Sequence, residues 1–413
     1  MQLLLYRLGV AGYAFAIRIA AMFGGKAQLF IAGRKQWRVR LQKQMAAHGN
    51  RKSLWFHCAS LGEFEQGRPL LERLREHYPN HLIVLSFFSP SGFEIRKNYA
   101  GADVVCYLPV DSASNAADFI SIIKPEMTFF VKYEYWYFYL STLNANGIPT
   151  YMVSSIFREE QPFFKWYGSL HRKMLSYISR FFVQNETSKA LLNRIGFNNV
   201  EVTGDTRYDR VILASTTNES LFNVETWCKD SKVLVAGSTW DADEKLLSQL
   251  REFQNGLLKM IIVPHEISTS GIEATMERFG SRSVAYSKWD GTNNEANCLV
   301  VDSIGLLMRL YRYADLAYVG GGFGAGIHNT LEPAVYGSPV IFGPNHERFQ
   351  EAVQLVNAGG AFVINDQKSL QDTVSSLLMD EVKLQSIREI NLQLMQQNAG
   401  ATQRILDSLT RSH

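Results

Sequence analysis

From residue 53 onward the chain alternates short apolar runs with amphipathic stretches of helix length. The runs SLWFHCA (53–59), HLIVLSFF (81–88), VVCYLPV (104–110), EMTFFVK (126–132), PTYMVSS (149–155) and RFFVQN (180–185) predict strands buried on both faces, and the helical segments between them predict a parallel sheet. After the polar STTNES (215–220) the pattern restarts with KVLVAGS (232–238), KMIIVPH (259–265), RSVAYS (282–287), CLVVDS (298–303), LAYVGGG (316–322) and PVIFGP (339–344). The expected fold class is α/β: two Rossmann-like, doubly wound domains, 51–214 and 221–395, facing across a cleft and joined by a linker near 210–220. Ligands of such sheets bind at the carboxyl ends of the strands. A last helix, 383 to about 410, places Leu384, Ile387, Ile390, Leu392 and Leu394 at helical spacing, and its end, 396–413, is expected to pack on the body.

The first 50 residues differ in kind. LLLYRLGVAGYAFAIRIAAMFGG is apolar, but Arg7 and Arg18 leave only ten uncharged residues between them, where a spanning helix needs about 20. This predicts a helix lying in a membrane interface. A cleaved signal peptide fits less well, because Arg18 interrupts the apolar region and no small-x-small site follows it. Residues 1–52 hold ten Lys or Arg and no acid, which leaves 32 basic against 39 acidic residues in the remainder. Interleaved Arg, Lys and Trp in KAQLFIAGRKQWRVRLQKQ also suit nucleic acid. Adjacency to an apolar helix instead favours anionic inner-membrane lipids, at about 1 kcal/mol per basic residue, and no nucleic-acid partner is expected.

A length of 413 residues, 46% hydrophobic and 20% charged, fits two well-buried cores. Cys58, Cys106, Cys228 and Cys298 are far apart and form no CxxC, the pattern of reduced thiols in a cytoplasmic protein. No HExxH, paired His/Cys spacing or Gx4GK[ST] loop occurs, so neither a metal nor a P-loop is expected, and no cofactor. His265-Glu266 and His346-Glu347 lack a third ligand at sensible spacing; they read as polar loop residues lining the cleft.

Three segments carry candidate chemistry. In HCASLGEFEQGRPLLERL (57–74) the chain passes from strand to helix, and Ser60 and Glu63 have capping-box spacing. That spacing reads first as a cap; a general base at the end of the first strand is the competing role, because a carboxylate engaged in a cap is a weaker base. In AGSTWDADE (236–244), Ser238 and Thr239 are cap hydroxyls or phosphate contacts, followed by Asp241, Asp243 and Glu244 in a first helical turn. In VGGGFGAGIHNTLEP (319–333), Gly320, Gly322 and Ala325 match GxGxxG/A, although no ribose-binding acid ends the next strand; Asn329 and Glu332 have cap spacing.

Together with the N-terminal anchor, the segments HCASLGEFEQ, KYEYWYF (132–138), FFVQNE (181–186), VTGDTRYD (202–209), AGSTWDADE, VDSIGLLMRLYRYADLAYVGGG (301–322) and HNTLEP (328–333) resemble, in order and over nearly the whole chain, the 3-deoxy-D-manno-octulosonic acid (Kdo) transferases of lipid A and lipopolysaccharide biosynthesis. The resemblance implies a GT-B fold and inverting transfer of Kdo from CMP-Kdo to a lipid A precursor at the cytoplasmic face of the inner membrane. It implies that Glu63 is the catalytic base and Glu134 a second acidic residue on the acceptor side. On the donor side it implies Ser238, Thr239, Asn329, Glu332, Gly322, Arg207 and His265. Three departures stand out: Pro264 runs directly into His265 where the family often has an intervening Arg, Trp240 replaces a common His, and AGIHN replaces GGHN. A nucleotide-sugar epimerase of similar architecture and a non-catalytic membrane scaffold are the alternatives; the first has little use for the apolar, basic N-terminus, and the second predicts no nucleotide affinity.

Overall fold

The computed structural model describes residues 1–217, 220–291 and 295–411. The chain divides into two compact units, Met1–Arg210 with Ala399–His413, and Val211–Asn398. The first unit is built on strands β1 (Ser53–Cys58), β2 (Leu82–Phe87), β3 (Val104–Tyr107), β4 (Pro125–Val131), β5 (Thr150–Ser155), β6 (Arg180–Val183) and β7 (Val200–Val202). All are parallel, in the order β3-β2-β1-β4-β5-β6-β7. Every residue of β1, β2 and β5 is buried, because helices cover both sides of the sheet and alternate side chains supply two cores. On one side Trp55 packs against Phe119, Phe130 and Tyr139 at centroid distances of 5.0, 5.2 and 5.7 Å, contacts contributing about 0.5–1.5 kcal/mol each beyond their burial. On the other, Leu54, Phe56 and Cys58 meet Phe64, Leu70 and Leu71.

The second unit repeats the plan with β8 (Lys232–Thr239), β9 (Leu258–Pro264), β10 (Ser283–Ala285), β11 (Cys298–Val300), β12 (Leu316–Val319), β13 (Val340–Phe342) and β14 (Ala361–Val363). Its parallel order is β10-β11-β9-β8-β12-β13-β14. Two doubly wound units in one chain are the GT-B class expected from the sequence. Helix starts follow local chemistry: Ser112, Asn185, Ser268 and Asp366 each accept a backbone N–H of the first turn.

Several expectations change. β7 and β14, three-residue strands at one edge of each sheet, were not anticipated, since each is only partly buried and alternates too briefly to stand out as an apolar run. The stretch expected as a linker is helical through Thr217, within the helix Thr206–Thr217; Asn218 and Glu219 lie outside the described residues. The single terminal helix is two, Glu381–Asn398 and Ala401–Thr410, divided at Gly400 with φ 86°. The former buries Leu384, Ile387, Asn391 and Met395, whereas Leu392 is exposed. The latter inserts Ile405, Leu406 and Leu409 into the first unit's core.

The N-terminal segment is a helix, Gln2–Ala21, followed by helices Gly25–Arg34 and Trp37–Ala46. The first has the length and hydropathy of a membrane span and buries no residue. It nonetheless touches the first unit at several points: Gln2 bonds the backbone of Tyr167 and Leu170, Tyr6 donates to Asp111, and Tyr13 stacks on Phe88. The next two helices are part of that unit, with Phe30 and Leu41 buried in it. Of the ten basic residues, Arg38 and Lys52 pair with Asp118 and Glu126, whereas Arg34, Arg40 and Arg51 are held by backbone carbonyl oxygens and keep their charge.

Candidate functional site

In a doubly wound sheet the carboxyl ends of the two strands flanking the reversal of strand order splay apart and leave a crevice. In the first unit that point lies between β1 and β4. Glu63 follows β1, in the first turn of the helix Leu61–His77, and Glu134 follows β4. Glu63 Oε2 accepts the Ser60 backbone N–H at 3.0 Å, completing the capping box. The cap does not hold its carboxyl low. Burial and the neighbouring Glu134 charge outweigh the N–H groups of Ser60 and Ala59 and the Lys132 charge, and push the Glu63 carboxyl up to about 7.

Glu134 is buried, and its Oε2 accepts the Trp136 indole N–H at 2.6 Å and faces His57 Nε2 at 3.3 Å. His57 is fully buried in β1, with Nδ1 2.8 Å from the Ser86 hydroxyl, which also accepts the Trp55 indole N–H at 2.7 Å. Because that indole can only donate and the Glu134 carboxylate can only accept, a neutral His57 satisfies the chain with its proton on Nε2, taking the Ser86 hydroxyl proton at Nδ1. Sequence reasoning missed His57. Its signal was a polar residue in an otherwise apolar strand, two positions from Trp55 and hence on the same face.

Arg207 lies in this unit, its guanidinium paired with Asp205 at 2.7 and 2.9 Å. Burial disfavours the Asp205 carboxylate, but Arg207 more than compensates and holds its pKa below the ordinary value. An anion bound to Arg207 therefore shares its charge with Asp205.

In the second unit the reversal lies between β8 and β12. Ser238 and Thr239 end β8, and Gly320, Gly321 and Gly322 follow β12. The Thr239 hydroxyl donates to Glu244 at 2.9 Å, and Glu244 also accepts from Thr275 and Arg278, so Thr239 is committed to the scaffold; no such bond engages the Ser238 hydroxyl among the described residues. Asp243 accepts the N–H groups of Trp240 and Gly321 and the Tyr318 hydroxyl at 2.8–3.0 Å, tying the end of β8 to the glycine loop. A Cβ at Gly322 would stand 2.5 Å from the Gly343 nitrogen, so the close approach that glycine permits here is to backbone. Asn329 accepts the Leu331 N–H and donates to Glu332 at 3.1 Å. The helix that follows, Leu331–Ala334, is a single turn, too short for a helix dipole to hold a phosphate.

Because β9, β8 and β12 are neighbours, residues distant in sequence stack beyond their ends: Trp240 on His265 at 4.4 Å, and His265 on His328 at 4.5 Å. Burial first, and His265 second, lower the His328 pKa, which keeps that ring neutral at pH 7. Among the described residues no three His, Cys, Asp or Glu gather as metal ligands.

Three of the six non-glycine residues with positive φ among the described residues lie at these strand ends. Lys132, Ser154 and Ser238, with φ of 63°, 51° and 53°, lie at or just beyond the carboxyl ends of β4, β5 and β8. Such residues cost about 1–3 kcal/mol each and persist where the surroundings over-determine them, commonly at functional sites.

Residues 35–210 match the family profile described as 3-Deoxy-D-manno-octulosonic-acid transferase (kdotransferase). The 3-deoxy-D-manno-octulosonic acid transferase of Haemophilus influenzae is 26% identical over 397 residues, 91% of either chain, and that of Chlamydia muridarum 26% identical over 89% of this chain and 87% of its own. Among solved structures, the UDP-GlcNAc 2-epimerase of Neisseria meningitidis superposes with a TM-score of 0.64 at 15% identity, covering 87% of this chain and all of that one, a likeness of fold alone. Over nearly its full length, then, the chain is similar to curated 3-deoxy-D-manno-octulosonic acid transferases, and its two doubly wound sheets have the GT-B architecture.

Proposed function

We propose that this chain is an inverting glycosyltransferase that moves Kdo from CMP-Kdo to a lipid A precursor of the lipid IVA type, at the cytoplasmic face of the inner membrane. The observation that carries the proposal is Glu63: a carboxyl at the switch point of the first sheet, raised to about 7, suits a general base at neutral pH. Glu63 takes the proton of the attacking acceptor hydroxyl as its oxygen bonds to the anomeric carbon from the face opposite CMP. The bond from that carbon to the CMP oxygen breaks, and its electron pair leaves on the phosphate. Glu134, held by His57 and Trp136, keeps Glu63 basic and faces the acceptor.

On the donor side, the Ser238 hydroxyl and the ring stack containing His265 suit phosphate and base, and Asn329 with Glu332 suits the ribose hydroxyls. Thr239 and Gly322 shape that loop. A phosphate monoester leaving group asks for less neutralisation than a diphosphate, so these groups suffice without a metal. The first helix, tied along the first unit with Leu4, Leu8, Phe15 and Ile19 exposed, supports a protein lying on the bilayer. The test is incubation with CMP-Kdo and a tetraacyl diphosphoryl disaccharide, read by mass spectrometry. Acceptor heavier by whole Kdo residues, with CMP released, is expected; CMP-Kdo left intact over many enzyme equivalents, or turnover of UDP-GlcNAc to its epimer, overturns the reading.

A further inference from the structure

Within the first unit a cavity of about 850 Å³ opens between the N-terminal helix, the helix Gly25–Arg34 and the loop following β3. This is at the upper end of ordinary small-ligand pockets, about 300–1,000 Å³. Its apolar wall is formed by Val10, Ala11, Ala14, Phe30, Ile31 and Phe138. Four cations, Arg7, Arg18, Arg34 and Lys35, share the lining with one acid, Asp111. That acid is occupied: it accepts the Tyr6 hydroxyl and the N–H groups of Phe138 and Tyr139.

None of the four cations has a carboxylate partner among the described residues. Arg34 is the most telling, since its guanidinium is fixed by the carbonyl oxygens of Phe30, Phe88 and Leu108 and lies on the Phe30 ring, so that it is oriented but not neutralised. Burial pulls its pKa down to about 10, which leaves it charged at neutral pH. An arginine desolvated without a counter-charge is costly, and three further cations around one apolar space add to the cost until an anion is present.

We propose that this cavity is a binding site for one anionic phospholipid, which places an acyl chain along Val10, Ala14 and Ile31 and its phosphate among Arg7, Arg18, Arg34 and Lys35. The chemistry requires an amphiphile, because a free phosphate leaves the apolar wall wet and a zwitterionic head returns a positive charge to a site that already has four. The source is the bilayer, since the exposed apolar residues Leu4, Leu8, Phe15 and Ile19 belong to the same helix that forms the wall. An acyl disaccharide with several chains exceeds the volume, whereas one chain and a glycerophosphate head do not. The inference is independent of the transferase reading, because it concerns binding and not turnover.

The test uses the full-length chain in maltoside micelles, with bound lipid counted by native mass spectrometry after addition of phosphatidylglycerol, phosphatidylcholine of the same chains, or sn-glycerol 3-phosphate. One phosphatidylglycerol per chain is expected, at least about tenfold preferred over phosphatidylcholine and not displaced by glycerol phosphate. Ala14→Phe, which fills the cavity, and the double variant Arg18→Gln/Lys35→Gln, which changes only exposed side chains, each lower retention about tenfold or more with lipid-free melting unchanged. Equal retention of the two phospholipids, or wild-type retention by the exposed double variant, overturns the proposal. So does displacement of phosphatidylglycerol by a tetraacyl diphosphoryl disaccharide whose own binding Ala14→Phe abolishes, which makes the cavity an acceptor site.

Discussion

Replacing Glu63 by Gln separates its two roles. The amide keeps the size of the side chain and its oxygen can still accept the Ser60 N–H, so the cap survives. What is lost is the ability to take a proton, which typically costs about 10²–10⁴ in rate. Stability moves the other way. A carboxyl raised from 4.5 to about 7 carries a penalty on its ionised form of roughly 3 kcal/mol. Because the folded state binds this proton more tightly than the unfolded chain, the penalty is absent below about pH 4.5, grows as pH rises to about 7, and is complete above it. The Gln variant escapes it, so its melting temperature is expected to exceed wild type by several degrees at pH 8 and to converge with it near pH 5. Wild-type kcat/KM is expected to rise with pH and level off above about 7. The assays are transfer from CMP-Kdo, CMP calorimetry and melting at both pH values. A Gln variant that keeps half the turnover, or that melts lower than wild type at pH 8, refutes the assignment and makes Glu134 the next base to test.

Further outcomes follow from the same contacts. Deleting residues 1–24 removes a helix with no buried residue, and is expected to release the chain from membranes in a sedimentation assay while circular dichroism still reports a folded protein. His57→Leu leaves the buried Glu134 with one donor fewer; a loss of about 1–3 kcal/mol in chemical denaturation, together with a shift in the pH dependence of kcat/KM, is expected. Glu332→Ala is expected to weaken CMP binding in calorimetry and leave acceptor binding unchanged. Gly322→Ala drives a methyl into the Gly343 backbone and is expected to cost about 1–3 kcal/mol, read as a lower melting temperature of the second unit.

Periodicity along the chain was enough to place twelve of the fourteen strands among the described residues, because a strand buried on both faces is a continuous apolar run whatever surrounds it. Ser60 and Glu63 were legible as a capping box, since a cap is satisfied within one turn. The separation of charge between the first 52 residues and the remainder was legible too.

What needed tertiary structure is what depends on sheet order and on burial. Sequence could not weigh cap against base for Glu63, because its raised pKa depends on burial and on Glu134, 71 positions away and brought near only by the pairing of β1 with β4. The same holds for His57 with Glu134, for Trp240 with His265 and His328, and for the division of labour between Ser238 and Thr239, which Glu244 decides. Gly322, read as a ligand glycine, also sits where a Cβ would meet the Gly343 backbone. Local interactions are written in neighbouring residues; a pKa, a ring stack or an occupied hydroxyl is set by whichever groups the strand order makes adjacent, and no single segment encodes that order.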